Sequence, residues 1–263
     1  MTDDQLQAVI EVVRRAGAVL MEEFGSDELG AETKPDGSPV LRADKRSSAL
    51  LEAELPKVID VPVLSEENEH RELSADAPYF IIDPLDGTKE FMRGSHDFAI
   101  NVAFMEGGLP TAGVVYGPAR NELYYARQGQ GAFRIRGSET EAIHVSDRQR
   151  ELIGIMSFSH ASERDTELLD KLGCTSTIRM GSVLKFCAVA SGAADIYMRS
   201  GRTMIWDTAA ADIVVREAGG HMLYYTGDRL SADFNLSLAN DGFLCSNIDI
   251  NPSDVAQYFG GQA

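Results

Sequence analysis

Tyr79-Phe80-Ile81-Ile82-Asp83-Pro84-Leu85-Asp86-Gly87-Thr88-Lys89-Glu90-Phe91 decides how this chain reads. Four apolar or aromatic residues run into Asp83, the pattern of a buried strand. Pro84 lacks the N–H that a central ladder uses, so the strand is expected to end at Asp83. Pro84 and Gly87 then force a turn, with Asp83 and Asp86 on either side of it. Two carboxylates at the mouth of a buried strand must be ion-paired, bound to a cation, or shifted in pKa. Gly87 permits close backbone approach, and a helix starting near Thr88 would offer its free N–H groups to a phosphate.

Upstream, apolar residues at helical spacing (Leu6, Val9, Ile10, Val13, Leu20, Phe24) predict a helix over about 3–24, opened by a capping box between Thr2 and Gln5. Residues 25–40 read as a loop with a turn at Lys34–Pro39. A second helix is expected over about 42–55, and a short strand at Val61–Leu64. Downstream, apolar runs at 98–105, 112–116, 123–126 and 132–135, separated by Gly-rich turns, form an antiparallel meander. The character changes near 144–150. Strands at 153–157, 195–198, 221–225 and 243–245 then alternate with helices at 162–172, 182–190 and 207–218, and a short helix closes the chain. The expected division is an N-terminal α+β half over 1–143, holding an antiparallel sheet and most of the acids of interest, and a C-terminal α/β half over 144–263 contributing Asp207 and substrate contacts.

Composition narrows the function. The 263 residues are 44% hydrophobic, enough to build a full core and unlike a disordered chain. A net charge of -17 argues against a protein that coats nucleic acid, which needs a basic footprint. It does not exclude a small anionic substrate, because local cations set the local field. The acidic start, with no apolar run after it, gives no expectation of a secretory signal, and no run approaches a membrane span. Cys174, Cys187 and Cys245 are odd in number and widely spaced, which fits reduced thiols in a cytosolic protein better than a disulfide framework. The five His (His70, His96, His144, His160, His221) lack zinc-site spacing.

Asp44, Glu66, Asp83, Asp86 and Asp207 sit at element ends, where sites are usually built. Each also has a plain structural reading. Asp44 favours a helix start, Glu66 belongs to a solvated acidic run, Asp83 and Asp86 form a turn, and Asp207 caps the helix after Trp206. Capping alone does not explain Asp83, which follows four buried residues. Carboxylates with no His ligand nearby select hard cations, and magnesium, which completes its shell with water and substrate phosphate, suits them.

Asp83-Pro84-Leu85-Asp86-Gly87-Thr88 and Trp206-Asp207-Thr208-Ala209-Ala210 resemble the two signatures of the inositol monophosphatase / fructose-1,6-bisphosphatase superfamily. Ser65-Glu66-Glu67, and Asp44 after Gly37-Ser38-Pro39-Val40, fall where that family has its other acids. Within it, Lys34–Val40, Asp86–Phe91, Gly113–Pro118 and Gly181–Cys187 look most like the bacterial 3'(2'),5'-bisphosphate nucleotidases of the CysQ type. The resemblance implies a layered αβαβα sandwich and a magnesium-dependent phosphomonoesterase with two or three Mg2+ per site. Glu66, Asp83 and the Leu85 carbonyl would hold the first ion. Asp83, Asp86 and Asp207 would hold the second, and Glu66 would also face a third. Thr88, oriented by Asp44, would activate water, with Glu66 in the catalytic group. The Gly87 and Thr88 amides would hold the phosphate. Lithium inhibition is expected by the same analogy, as is a monomer or homodimer, free in the cytoplasm or peripheral to the inner membrane.

Two departures bear on substrate. Inositol monophosphatases carry a Glu seven residues before the Trp-Asp aspartate, where it grips inositol hydroxyls; here that position is Ser200. Val183 replaces the second Ser of the usual Gly-Ser-Ser-Leu-Lys-Phe. Lys185, Arg199 and Arg202 are candidates for a second phosphate, and a solvated basic residue is the competing reading for each Arg. The favoured substrate is 3'-phosphoadenosine 5'-phosphate, a bisphosphate nucleotide. The alternatives are inositol monophosphate or another sugar phosphate, a binding partner of the transcription machinery, and a carboxylate cation site of structural function.

Overall fold

The computed structural model describes every residue except 27, 35, 36, 38, 69–76, 159–161, 228 and 260–263. His70, His160 and Pro35, Asp36 and Ser38 of the Lys34–Pro39 turn lie outside the described residues. What is described of the turn has Gly37 at φ +85°, its N–H donating to the Lys34 carbonyl at 2.9 Å.

The chain opens with α1 (Asp3–Glu23), a small antiparallel pair β1 (Glu32–Thr33) and β2 (Pro39–Val40), α2 (Arg42–Val58), β3 (Val63–Ser65), β4 (Tyr79–Asp86) and α3 (Thr88–Met92). The meander is β5 (Ala99–Glu106), β6 (Leu109–Gly117), β7 (Glu122–Arg127), β8 (Ala132–Arg136) and β9 (Glu139–Ile143). Then come β10 (Leu152–Ser157), α4 (Glu163–Lys171), β11 (Cys174–Met180), α5 (Leu184–Ala190) and β12 (Ile196–Arg199). The chain continues through β13 (Thr203–Met204), α6 (Ile205–Glu217), β14 (His221–Tyr225), β15 (Leu230–Ser231), β16 (Ala239–Asn240), β17 (Phe243–Ser246) and α7 (Pro252–Val255).

Two large sheets organise these elements. The first runs β3-β4-β5-β6-β7-β8-β9, parallel between β3 and β4 and antiparallel thereafter. The second runs β11-β10-β12-β17-β14-β15, parallel across its first three strands and antiparallel beyond. Helices α1 and α2 cover one face of the first sheet, α5 and α6 lie between the sheets, and α4 packs outside the second. The layers are therefore αβαβα, as expected. β4 shows why its sequence is continuously apolar: Phe80 and Ile82 pack toward α1 and α2, whereas Tyr79 and Ile81 face the central layer.

The capping box at Thr2 and Gln5 is present and α1 ends within a residue of expectation. Several boundaries differ. β4 does not stop at Asp83: Asp83 pairs with Asn101 and Asp86 with Ala99, so β4 carries one extra residue there. Pro84 sits in this bulge, where its missing N–H breaks no ladder bond. The Pro84 carbonyl accepts from Ser47 Oγ at 2.9 Å, tying α2 to the bulge. α2 runs past the expected Leu55 to Val58 with Pro56 in its last turn, where one lost helical bond is tolerated. α6 starts at Ile205, so Asp207 lies in its first turn and is not the capping residue. Strands β9 and β11, and the two-residue strands β1, β2, β13, β15 and β16, have no counterpart in the expectation.

Helix α6 reaches the first sheet because β6 has Gly113 beneath it. A Cβ there would fall 2.4 Å from the Ala210 carbonyl oxygen and 2.6 Å from Ile213 Cγ2. Gly113→Ala is expected to destabilise the protein by about 1–3 kcal/mol by overpacking and, by pushing α6 outward, to weaken any ligand held by Asp207. An unchanged melting temperature would show that the helix sits with slack.

Candidate active site

A cleft of about 320 Å³ opens at the carboxyl end of β4, lined by Glu66, Asp83, Asp86, Thr88, Lys185 and Asp207 among others. That is the size and place expected of a small-ligand site. Oxygens of Asp83, Asp86 and Asp207 all lie within 4.8 Å of one another. Asp83 is only 1% exposed; Asp86 and Asp207 are half-buried.

Each carboxylate is fixed by a backbone amide on one oxygen. Asp83 Oδ1 accepts from Leu85 N at 3.0 Å across the bulge. Asp207 Oδ2 accepts from Met204 N at 2.8 Å, and Asp44 Oδ2 from Leu41 N at 3.0 Å, each closing the first turn of its own helix. Asp86 Oδ2 accepts from Val183 N, just ahead of α5. The capping and turn-forming readings of Asp44, Asp83 and Asp207 are thus correct in part, and the same bonds aim the other oxygen of each acid.

Acids packed this way hold protons tightly. Burial, then Glu66, Asp86 and Asp207, push the Asp83 carboxyl well above the usual range. Burial raises Asp86 to about 6, although Lys185 and the Val183 amide pull it back. Asp207 rises to about 7 through burial and Asp86. Asp44 also rises to about 7, through burial that outweighs its bond from Leu41. A divalent cation would replace those protons. The donor set is all hard oxygen with no Cys or His, which fits magnesium.

Thr88 begins α3 behind Gly87, which sits at φ +92°. Its Oγ1 lies 3.4 Å from Asp44 Oδ1 and 3.3 Å from the Leu85 carbonyl. The expected Thr88–Asp44 pair is therefore brought together. Glu66 lines the same cleft, but its Oε1 accepts from Lys34 Nζ at 2.8 Å, and the same ammonium reaches Glu67 at 2.7 Å.

Of the three basic candidates, Lys185 and Arg199 line the cleft. Lys185 is buried, donates to the Ser182 carbonyl at 2.6 Å and lies over the Tyr197 ring. Burial lowers its pKa to about 8 against the pull of Asp86. Arg199 donates to the Arg202 carbonyl at 3.0 Å, while the Arg202 side chain is exposed and not part of the lining. Ser200 is not among the residues that line the cleft. Its Oγ donates to Asp165 Oδ1 at 2.9 Å and meets Ser162 Oγ at 3.2 Å, at the start of α4. Lys34, Glu67 and the Val183 amide escaped the sequence reading as functional contacts. Lys34 stands in a quoted motif, but nothing in the spacing shows that it reaches Glu66.

Known proteins resemble this chain over nearly its whole length. A 3'(2'),5'-bisphosphate nucleotidase CysQ of Salmonella typhimurium (strain LT2) is 37% identical over 247 residues, covering 90% of this chain and 98% of that protein. A histidinol-phosphatase of Mycobacterium tuberculosis is 35% identical, covering 86% and 90%. The crystal structure of CysQ from Bacteroides thetaiotaomicron, a bacterial member of the inositol monophosphatase family, superposes with a TM-score of 0.76 at 29% identity, covering 92% of this chain and 97% of that one. The sequence model of the inositol monophosphatase family matches residues 2–259, and the chain belongs to that family.

Proposed function

We propose that this chain is a magnesium-dependent phosphomonoesterase that removes the 3'-phosphate of 3'-phosphoadenosine 5'-phosphate, giving AMP and phosphate. The observation that carries the chemistry is the set of three carboxylate oxygens within 4.8 Å beside the Thr88–Asp44 pair. Asp83, Asp86 and Asp207 would hold magnesium, joined by Glu66 and the Leu85 carbonyl, with two or three ions per site. Bound there, magnesium supplies charge neutralisation on the phosphate and an acidified water. Thr88 Oγ1 donates to Asp44, which leaves its lone pairs to orient the attacking water and passes that water's proton toward Asp44. The Gly87 and Thr88 amides hold phosphate oxygens. Water oxygen forms the new bond to phosphorus, the P–O3' bond breaks, the 3'-oxygen takes a proton from a solvent water as it leaves, and Asp44 returns its proton to the hydroxide so formed.

The substrate reading is supported by the cationic wall of the cleft, Lys185 and Arg199, which suits a second phosphate. It is supported too by Ser200, whose hydroxyl is bonded to Asp165 and Ser162 rather than lining the cleft. The test is phosphate release from 3'-phosphoadenosine 5'-phosphate, inositol 1-phosphate, fructose 1,6-bisphosphate and histidinol phosphate, with and without Mg2+ and Li+. The bisphosphate nucleotide is expected to have the highest kcat/KM. Inositol 1-phosphate or histidinol phosphate ahead of it would overturn the substrate, and no release from any compound would overturn the enzyme.

The raised carboxyls also fix a pH dependence. Unfolded Asp titrates near about 3.9, whereas folded Asp86, Asp207 and Asp44 titrate at about 6, 7 and 7. Between those limits the folded chain binds more protons, so its stability falls as pH rises through about 6–7. The melting temperature of the metal-free protein is expected to drop by several degrees from about pH 5 to about pH 8. Excess Mg2+ should reverse the drop at the alkaline end. A flat metal-free profile, or one that Mg2+ leaves untouched, would contradict the cluster's role.

A further inference from the structure

Among the four anchored acids, three take their amide from their own neighbourhood in sequence: Asp83 from Leu85, Asp44 from Leu41, Asp207 from Met204. Asp86 takes its amide from Val183, in a turn that packing must bring to it. That turn is unfavourable in itself, because Ser182 stands in the left-handed region at φ +52°, a conformation that persists where the surroundings enforce it.

Lys185 holds the Ser182 carbonyl, and Asp97 holds the residue before it. Asp97 Oδ2 accepts from Gly181 N at 3.0 Å, and its Oδ1 is bound by Arg120 through Nε at 3.1 Å and through Nη2. Asp97 is buried, and its main chain closes against both glycines of the site. A Cβ on Gly181 would lie 2.9 Å from the Asp97 carbonyl oxygen, and one on Gly87 3.0 Å from it. Residues 181–183 are thus held by Asp97 at one end and present their amide to Asp86 at the other.

We propose that Asp97, supported by Arg120, is a positioning residue for Asp86: it holds the Gly181–Val183 turn so that the Val183 amide fixes one Asp86 oxygen and leaves the other for the cation. The inference rests on the magnesium reading above. Asp97→Asn tests it with little change of shape. A carboxamide offers one accepting oxygen, so its NH2 must face a donor on either Gly181 or Arg120, and one anchor is lost.

The experiment is calorimetric titration of the metal-free protein with MgCl2, alongside thermal melting. The control is Asp195→Asn, a buried aspartate whose partners are Ser146, Arg148 and Ile153. Asp97→Asn is expected to weaken magnesium binding about 10–100-fold, the size of effect that supporting hydrogen bonds have on metal sites. Asp195→Asn is expected to lower the melting temperature and leave magnesium affinity unchanged. Arg120→Met, at a partly exposed position, should shift affinity in the same direction as Asp97→Asn, and it carries the test if Asp97→Asn does not fold. Unchanged affinity in both variants, or equal weakening in Asp195→Asn, would overturn the inference while the functional reading stands. A wild-type protein that binds no magnesium would overturn the reading and the inference with it.

Discussion

Asp83→Asn is expected to end phosphate release while making the metal-free protein harder to unfold. Asp83 is enclosed at the bulge of β4 and is crowded by Glu66, Asp86 and Asp207, all of which disfavour its charge. Asparagine keeps the shape and the oxygen that accepts from Leu85 N. It removes a carboxylate that has no compensating cation in the metal-free protein, and relief of buried like charge stabilises. At about pH 8 we expect the melting temperature without magnesium to rise by a few degrees. Turnover at saturating magnesium should fall on the order of 10³-fold, the scale on which one preorganised charge contributes to catalysis. The opposite signs separate the two roles: an ordinary structural aspartate would lose stability. Full turnover in this variant, or in Asp86→Asn, would sink the metal assignment.

Thr88→Val carries the second large effect. Valine matches threonine in shape and leaves the start of α3 intact, but the hydroxyl between Asp44 Oδ1 and the Leu85 carbonyl is gone. Loss of a group that positions and deprotonates water lowers kcat by about 10²–10⁴-fold. Magnesium affinity and KM should be unchanged, because neither needs the hydroxyl, and Thr88→Ser should recover much of the rate. Asp44 supplies the pH signature. Burial raises it to about 7 without metal, and it must be ionised to take up the proton relayed through Thr88. The acid limb of kcat is therefore expected at or below about pH 7, since a nearby cation favours the carboxylate. Asp44→Asn should abolish that limb together with most of the rate. A Thr88→Val enzyme at wild-type kcat would move water activation elsewhere.

Legibility followed burial. The stretch from Tyr79 to Phe91 was readable because a strand enclosed on both faces, as Phe80, Ile81 and Ile82 show, must be continuously apolar. β9 and β11 escaped for the same reason in reverse. Glu139–Ala142 is wholly exposed and Cys174–Met180 mostly so, and an edge strand without a buried face has no alternation to display. The end of β4 was misplaced because Pro84 reads as a stop, whereas a bulge accepts it.

By itself the sequence determined which residue types stand at the ends of elements: Asp44, Asp83, Asp86 and Asp207, each beside a turn or helix start. The amide partners of Asp44, Asp83 and Asp207 were within its reach too, because those bonds span two or three residues. Tertiary structure alone decided which groups meet across long separations. It set Lys34 against Glu66, turned Ser200 toward Asp165 and left Arg202 at the surface. It also placed Asp97 beneath the turn that holds Asp86. The physical reason is that local hydrogen bonds are written in residue spacing. Contacts between distant segments exist only once α6 and the Gly181–Val183 turn have packed against the first sheet, and a buried charge is then fixed by whatever that packing brings beside it.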